Sequence, residues 1–175
     1  SNMRYEKTNP STRRRRLALS LVLTLCFTLL LAACSKDETE PSGDAISPAP
    51  EWNYVTIEMK DDLGSFVIEL EPEEAPLTVE NFRKLVHEGF YDGLTFHRIV
   101  PGFVLQGGDP RGDGTGGSAD LIKGEFAENG VENTLVHQRG TVSMARSADF
   151  DSASSQFYVV LSNNNVSHLD GAYAA

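Results

Sequence analysis

Apolar and polar residues alternate from Val55 to Lys60: Val55, Ile57 and Met59 are apolar, and Thr56, Glu58 and Lys60 are polar. A period of two predicts a strand with one buried face. Asp61-Asp62-Leu63-Gly64 supplies a turn, and residues 65–70 return as a second strand, which makes a hairpin. The period then changes. Val79, Phe82, Leu85 and Val86 share one face of a helix predicted from a Thr78 cap to about Glu88. Asn81 is placed to reach back over the helix start, and Gly89 to end it. Two more strands, 96–100 and 103–106, flank a Pro101-Gly102 turn, and a glycine-dense loop fills 107–117. Segments 134–136, 140–145 and 156–161 read as later strands. Many short strands and one early helix predict a mainly β domain, an antiparallel barrel with a helical cap.

Ahead of this domain the pattern is of another kind. Arg13 to Arg16 form a basic run, and residues 17–33 follow without a charge and rich in Leu. A basic stretch before an apolar one reads as a secretory signal, and Ser1-Asn2 before Met3 as a tag remnant. The apolar run ends Leu31-Ala32-Ala33-Cys34, which resembles a bacterial lipobox. That resemblance implies cleavage before Cys34 and lipid on it; the alternative is an uncleaved anchor helix. Either places the domain at a bacterial cell membrane, on its extracytoplasmic face. Residues 34–51 are polar, acidic and Pro-rich, a flexible linker, and the domain occupies 52–175. Cys26 would leave with the signal, so no internal disulfide is available and the core must hold the fold alone.

The chain carries 15 Lys/Arg against 25 Asp/Glu, a net charge of −10. Six of the basic residues and a single acid precede Cys34, so the remainder is more acidic still. Such a domain is repelled by nucleic acid and by anionic lipid, and fits a soluble monomer held off a surface by a tether.

The chemistry concentrates in Phe96 to Asp109, FHRIVPGFVLQGGD. One cation, Arg98, stands beside Ile99, Val100, Phe103, Val104 and Leu105, with the uncharged amide Gln106 close behind. Alternation puts Arg98 and Val100 on one face and turns His97 away. An Arg here either covers the core with its stem while its head reaches water, or serves a polar partner; these residues alone leave both open.

The same stretch resembles the signature of the cyclophilins, the peptidyl-prolyl cis-trans isomerases. The likeness continues in Gly140-Thr141-Val142-Ser143-Met144-Ala145, in Ser155-Gln156-Phe157-Tyr158 and in Leu169-Asp170-Gly171. Four blocks in one order are a specific signal, and they span Tyr54 to Ala175. The resemblance implies a closed antiparallel eight-stranded barrel with capping helices, and rotation of X-Pro bonds in polypeptides being folded after export. On the family pattern a strand, a helix and a closing strand would follow Ala175, so the C-terminal part of the barrel is expected to be missing. It implies Arg98 and Gln106 as the catalytic pair, with no cofactor and no metal. Phe103, Val104, Tyr158 and Leu169 become walls of a proline pocket. Ala145, Arg146 and Gln156 bind the residues before proline, and His168 and Tyr173 stand at the rim.

Several positions depart from the commonest family pattern. Val104 stands where Met is common, Arg146 replaces an Asn, and Tyr158 replaces a Phe. Tyr173 takes a position often held by His. His168 stands where eukaryotic members often carry Trp, so weak cyclosporin binding is expected. The alternative function is a proline-peptide-binding module without turnover. Arg98 speaks against it, because a groove that only binds needs no cation at its edge. Other motifs fail on spacing. GGDPRGDGTGG lacks the Lys-Ser/Thr pair of a P-loop. Asp109, Asp113 and Asp120 lack the bidentate Glu of an EF-hand, and the four His residues show no metal-ligand spacing.

Overall fold

A computed structural model of the protein describes residues 52–175. The predicted signal, Cys34 and the linker up to residue 51 lie outside the described residues.

The opening alternation forms the expected hairpin. Strand β1 (Tyr54–Glu58) pairs antiparallel with β2 (Ser65–Glu69), Tyr54 opposite Glu69 and Glu58 opposite Ser65. Val55, Ile57 and Ile68 point inward and are buried. Helix α1 (Pro76–His87) buries Val79, Phe82, Leu85 and Val86, the face that the period predicted. Its start differs from expectation. The helix begins at Pro76, Ala75 occupies the cap position, and no side chain there caps it. Pro76 sets a helical φ and has no N–H to leave unpaired. The next donors, Leu77 N and Thr78 N, reach the Glu125 carboxylate at 3.0 and 2.8 Å. A carboxylate at the positive end of the helix dipole replaces the local cap. Thr78 therefore lies inside the helix, and Asn81 instead donates to the Ser154 carbonyl at 2.6 Å.

A four-stranded sheet forms the rest. Its strands are β3 (Arg98–Val100), β4 (Val104–Gly107), β5 (Val142–Met144) and β6 (Phe157–Val160). They lie in the order β3-β4-β6-β5, each neighbour antiparallel. Phe157, Met144, Val142 and Val159 face α1 and the hairpin, in one apolar cluster. Val104, Tyr158 and Val160 face the other way and pack on Val166 and Leu169. The strand alternation thus separates a structural core from a second apolar layer. Short 3-10 turns lie at Ala127–Asn129 and Ser167–Leu169.

Two further expectations are corrected. Segment 134–136 is not a strand. Thr134 gives its N–H and hydroxyl to the Glu74 carboxylate at 2.6 and 2.8 Å, and Leu135 N goes to the Asn133 side chain at 3.0 Å. Side chains have taken the donors that a ladder would use. The closed eight-stranded barrel with capping helices is also not what the described residues form: they make sheets of two and four strands and one α-helix. The hairpin is hydrogen-bonded to neither edge of the larger sheet. The two sheets instead face an apolar cavity of about 730 Å³, lined by Phe66, Ile68, Phe82, Val142 and Val159 among others.

Candidate active site

The register of the larger sheet builds a row of side chains. Arg98 lies opposite Gln106, Gln106 opposite Tyr158, and Tyr158 opposite Ser143. Cross-strand partners share a face, so all four emerge on the side away from α1. Arg98 Nη1 is 3.4 Å from Gln106 Oε1. Gln106 Nε2 donates to Gln156 Oε1 at 2.9 Å. Gln156 Nε2 in turn donates to the carbonyls of Gly116 at 2.7 Å and Gly114 at 3.1 Å. The polar line runs unbroken from the cation to the glycine-dense loop.

That loop is held by Asp109, which is 1% exposed. Its carboxylate accepts the N–H groups of Arg111 at 2.8 Å, Gly114 at 2.6 Å and Asp113 at 3.2 Å. Burial pushes the Asp109 carboxyl up, but the backbone donors of Arg111, Gly116, Gly114 and Asp113 together hold it below its usual value. A metal role is unnecessary: the charge organises the loop. Gly108 has φ +83° and would place a Cβ 2.4 Å from the Ser155 carbonyl. Only glycine lets β4 run this close to the segment that carries Gln156.

A pocket of about 260 Å³ opens beside the row. Its wall gathers Phe103, Val104, Tyr158, Leu169 and Tyr173, with Ala145 and Arg146 on one side and Arg98, Gln106 and His168 at the mouth. Within residues 52–175, every residue that the resemblance implies for the site lines this pocket except Gln156. Gln156 lines an adjoining cleft of about 360 Å³, and Gln106, Ala145 and Arg146 belong to both. Val104, Tyr158 and Leu169 are buried and form the floor. His168 is exposed and stacks on Phe103, ring centres 6.0 Å apart at 17°. Arg98 is exposed, and among the described residues no carboxylate pairs with it. The larger apolar cavity behind the sheet carries no such polar row. His97 turns to the other side, near Gly114, with neither ring nitrogen hydrogen-bonded.

Behind the floor lies a network that the sequence reading passed over. His137 Nδ1 is 2.9 Å from Asp170 Oδ1, which also accepts His137 N at 2.6 Å. His137 Nε2 is 3.1 Å from Ser143 Oγ and 3.2 Å from the Tyr158 hydroxyl. Ser143 gives its proton to the Ala174 carbonyl at 2.6 Å. The consistent assignment has Nδ1–H donating to Asp170 and Nε2 accepting from Tyr158. Burial pushes the His137 imidazole down by more than Asp170 raises it, and burial pushes the Tyr158 phenol up. Ser143, His137 and Asp170 imitate a hydrolase triad, but Ser143 is 2% exposed and already committed to Ala174. The network fixes the Tyr158 ring instead. Its partners were visible only as separate residues, Ser143 and Asp170 inside the resembling blocks and His137 outside them.

Comparison with known proteins bears on this arrangement. Residues 54–175 match the family model of the cyclophilin type peptidyl-prolyl cis-trans isomerases. Over 113 residues the chain is 49% identical to peptidyl-prolyl cis-trans isomerase B of Bacillus subtilis, covering 65% of this chain and 74% of that one. Over 120 residues it is 46% identical to a peptidyl-prolyl cis-trans isomerase of Helicobacter pylori, covering 69% and 68%. A Cryptosporidium parvum cyclophilin crystallised in the presence of the dipeptide Ala-Pro superposes with a TM-score of 0.56 at 31% identity, over 63% of this chain and 69% of that one. A cyclophilin from Hirschia baltica gives 0.57 at 28%, over 73% and 62%. The fold is mainly β and cyclophilin-like, and the chain belongs to the cyclophilin-type peptidyl-prolyl cis-trans isomerases, the family that catalyses rotation about X-Pro bonds.

Proposed function

We propose that proline enters the 260 Å³ pocket and that Arg98 lowers the barrier to rotation of the bond before it. The observation that carries this is the row Arg98–Gln106–Tyr158 over an apolar floor, with Arg98 free of any carboxylate among the described residues. Amide resonance opposes rotation by ~18–20 kcal/mol. In the twisted state the prolyl nitrogen becomes pyramidal and gains a lone pair that accepts a hydrogen bond. A permanent cation placed there favours that state over either planar one. One charge-assisted bond contributes roughly 1.5–3 kcal/mol, about one to two powers of ten in rate. Gln106, held from behind by Gln156, orients the guanidinium. Phe103, Val104, Tyr158 and Leu169 hold the ring of proline, and Ala145, Arg146 and Gln156 receive the residues before it. His168 and Tyr173 close the rim. No nucleophile, metal or cofactor enters the scheme.

The wider setting belongs to the same reading. Residues 1–33 are a removable leader, Cys34 carries lipid, and 34–51 tether a monomeric domain at the outer face of a bacterial membrane, where its clients are exported proteins. The run Leu31-Ala32-Ala33-Cys34 after an uncharged stretch supports this.

The test is an isomerase assay on the full chain with X-Pro peptides. Arg98→Ala is expected to lose about ten- to a hundredfold in kcat/KM. A folded variant with near-full turnover would remove Arg98 from the mechanism. Mass spectrometry of the membrane fraction should find Cys34 acylated; a free thiol or an intact leader there would overturn the anchor.

A further inference from the structure

Arg146 occupies the lip between the proline pocket and the adjoining cleft, lining both. Three rings enclose its guanidinium: the carbon lies 4.5 Å from the centre of Tyr173, 4.8 Å from Phe150 and 5.1 Å from Phe126. Its hydrogen bonds go to main-chain carbonyls. Nε and Nη2 reach the Ala172 carbonyl at 3.2 and 2.8 Å, and Nη1 reaches that of Ser147 at 2.9 Å. A guanidinium has five N–H donors, so donors remain after these bonds.

The acids near it in sequence and space are otherwise engaged. Asp151 accepts from Gly124 N and Asn129 Nδ2, Asp149 accepts from Asp151 N, and Asp170 is bound to His137. Among the described residues no carboxylate forms an ion pair with Arg146, and no Asp or Glu lines either opening. The groove is thus a basic spot on an acidic protein of net charge −10. A cation fixed by rings and carbonyls, and lacking a counter-ion, is prepared for an anionic partner.

We propose that Arg146 is a specificity residue, which selects substrates carrying Asp or Glu on the N-terminal side of proline. The substrate carboxylate enters the cleft and accepts the unused guanidinium donors. This rests on the isomerase reading above, which runs the residues before proline past Ala145 and Gln156. The field of the whole protein favours the opposite choice, a basic peptide. That field is screened over about 10 Å at 0.1 M salt, whereas a contact pair persists.

The experiment compares kcat/KM of the full chain on peptides with Glu, Gln or Lys at the first or second residue before proline, by magnetisation exchange without a coupling protease. At one of those positions the Glu peptide is expected to exceed its Gln twin by about three- to fivefold, the strength of a solvent-touched ion pair. The ratio should shrink toward one in about 0.5 M salt. Arg146→Gln should abolish the ratio and Arg146→Lys should keep part of it. Because the ratio is taken within one protein sample, it does not depend on the fraction folded. Turnover of the Gln peptides with a ratio of one, a preference for Lys, or a ratio unchanged in Arg146→Gln overturns this inference and leaves the isomerase reading standing. Absence of turnover on every peptide overturns both.

Discussion

At the pocket rim, His168 is expected to affect inhibitor binding and leave turnover alone. It is exposed and stacks flat on Phe103, while the buried pocket floor is Val104, Tyr158 and Leu169. On the proposed reading a bulky cyclic apolar inhibitor such as cyclosporin lies across this rim, and proline sits below it. Replacing imidazole by indole adds an apolar face and keeps an N–H donor. If it covers about 60–80 Å² more at roughly 25 cal/mol per Å², His168→Trp tightens inhibition about tenfold or more. Turnover should change little. Titrating the inhibitor against both forms checks this, and equal inhibition constants would displace His168 from the rim. At this scale the sequence was readable through types and order: Arg98, Gln106, Phe103, Val104, Ala145, Tyr158 and Leu169 sit in the resembling blocks, and Arg146, His168 and Tyr173 lie within two residues of them. The Asp170–His137–Tyr158 line was not readable, because hydrogen bonds across 33 and 21 residues leave no local pattern.

Helix α1 depends on a residue outside itself. Glu125 is 3% exposed and satisfies two of the N–H groups that every helix start leaves open. Removing it strands the Thr78 donor in a buried place and the Leu77 donor in a part-buried one. Glu125→Ala is expected to lower stability by about 2 kcal/mol or more. Glu125→Gln, which keeps one acceptor oxygen, should lose less. Urea unfolding is the measurement: the midpoint should fall with its slope unchanged. A midpoint within error of the parent would mean that α1 needs no cap. The period-3.6 pattern located this helix and its buried face correctly. Its first residue was misplaced, because Thr78 offered a local cap and nothing nearby in the chain announced a carboxylate 47 positions later. Segment 134–136 erred for a related reason: Glu74 and Asn133 had claimed its donors.

The molecule as a whole should weaken in acid in two separate ranges. The fold holds His137 neutral, its imidazole pushed down by burial. Below the ordinary histidine value of about 6.5, the unfolded chain takes up a proton that the folded chain refuses. Stability therefore falls as pH drops from there toward the folded value, and rises with pH in that window. Asp109 and Asp170 are held below the usual carboxylate range. Their contribution is complete above about pH 4 and is lost as pH falls through their folded values. Urea midpoints recorded from pH 8 to 3 should show both declines. His137→Gln should flatten the upper one, whatever it does to the overall level; an unchanged slope between pH 7 and 5 would exclude His137 as its source. The architecture at this scale was legible in outline as many short strands and an early helix. Closure was not, since period-two patterning fixes which face of a strand is buried and says nothing of which edges meet.

The interleaved order of the larger sheet has a consequence in time. β4 touches β6 across some 50 residues, as Gln106 and Gln156 do, while β5, which comes between them in the chain, is placed outside. The β3–β4 and β5–β6 hairpins can each form locally, but neither builds this groove alone. The long loop must close before any of the β4–β6 contacts stabilise it. A chain made from its N-terminus would complete its hairpin and helix early and gain the pocket beside Arg98 last.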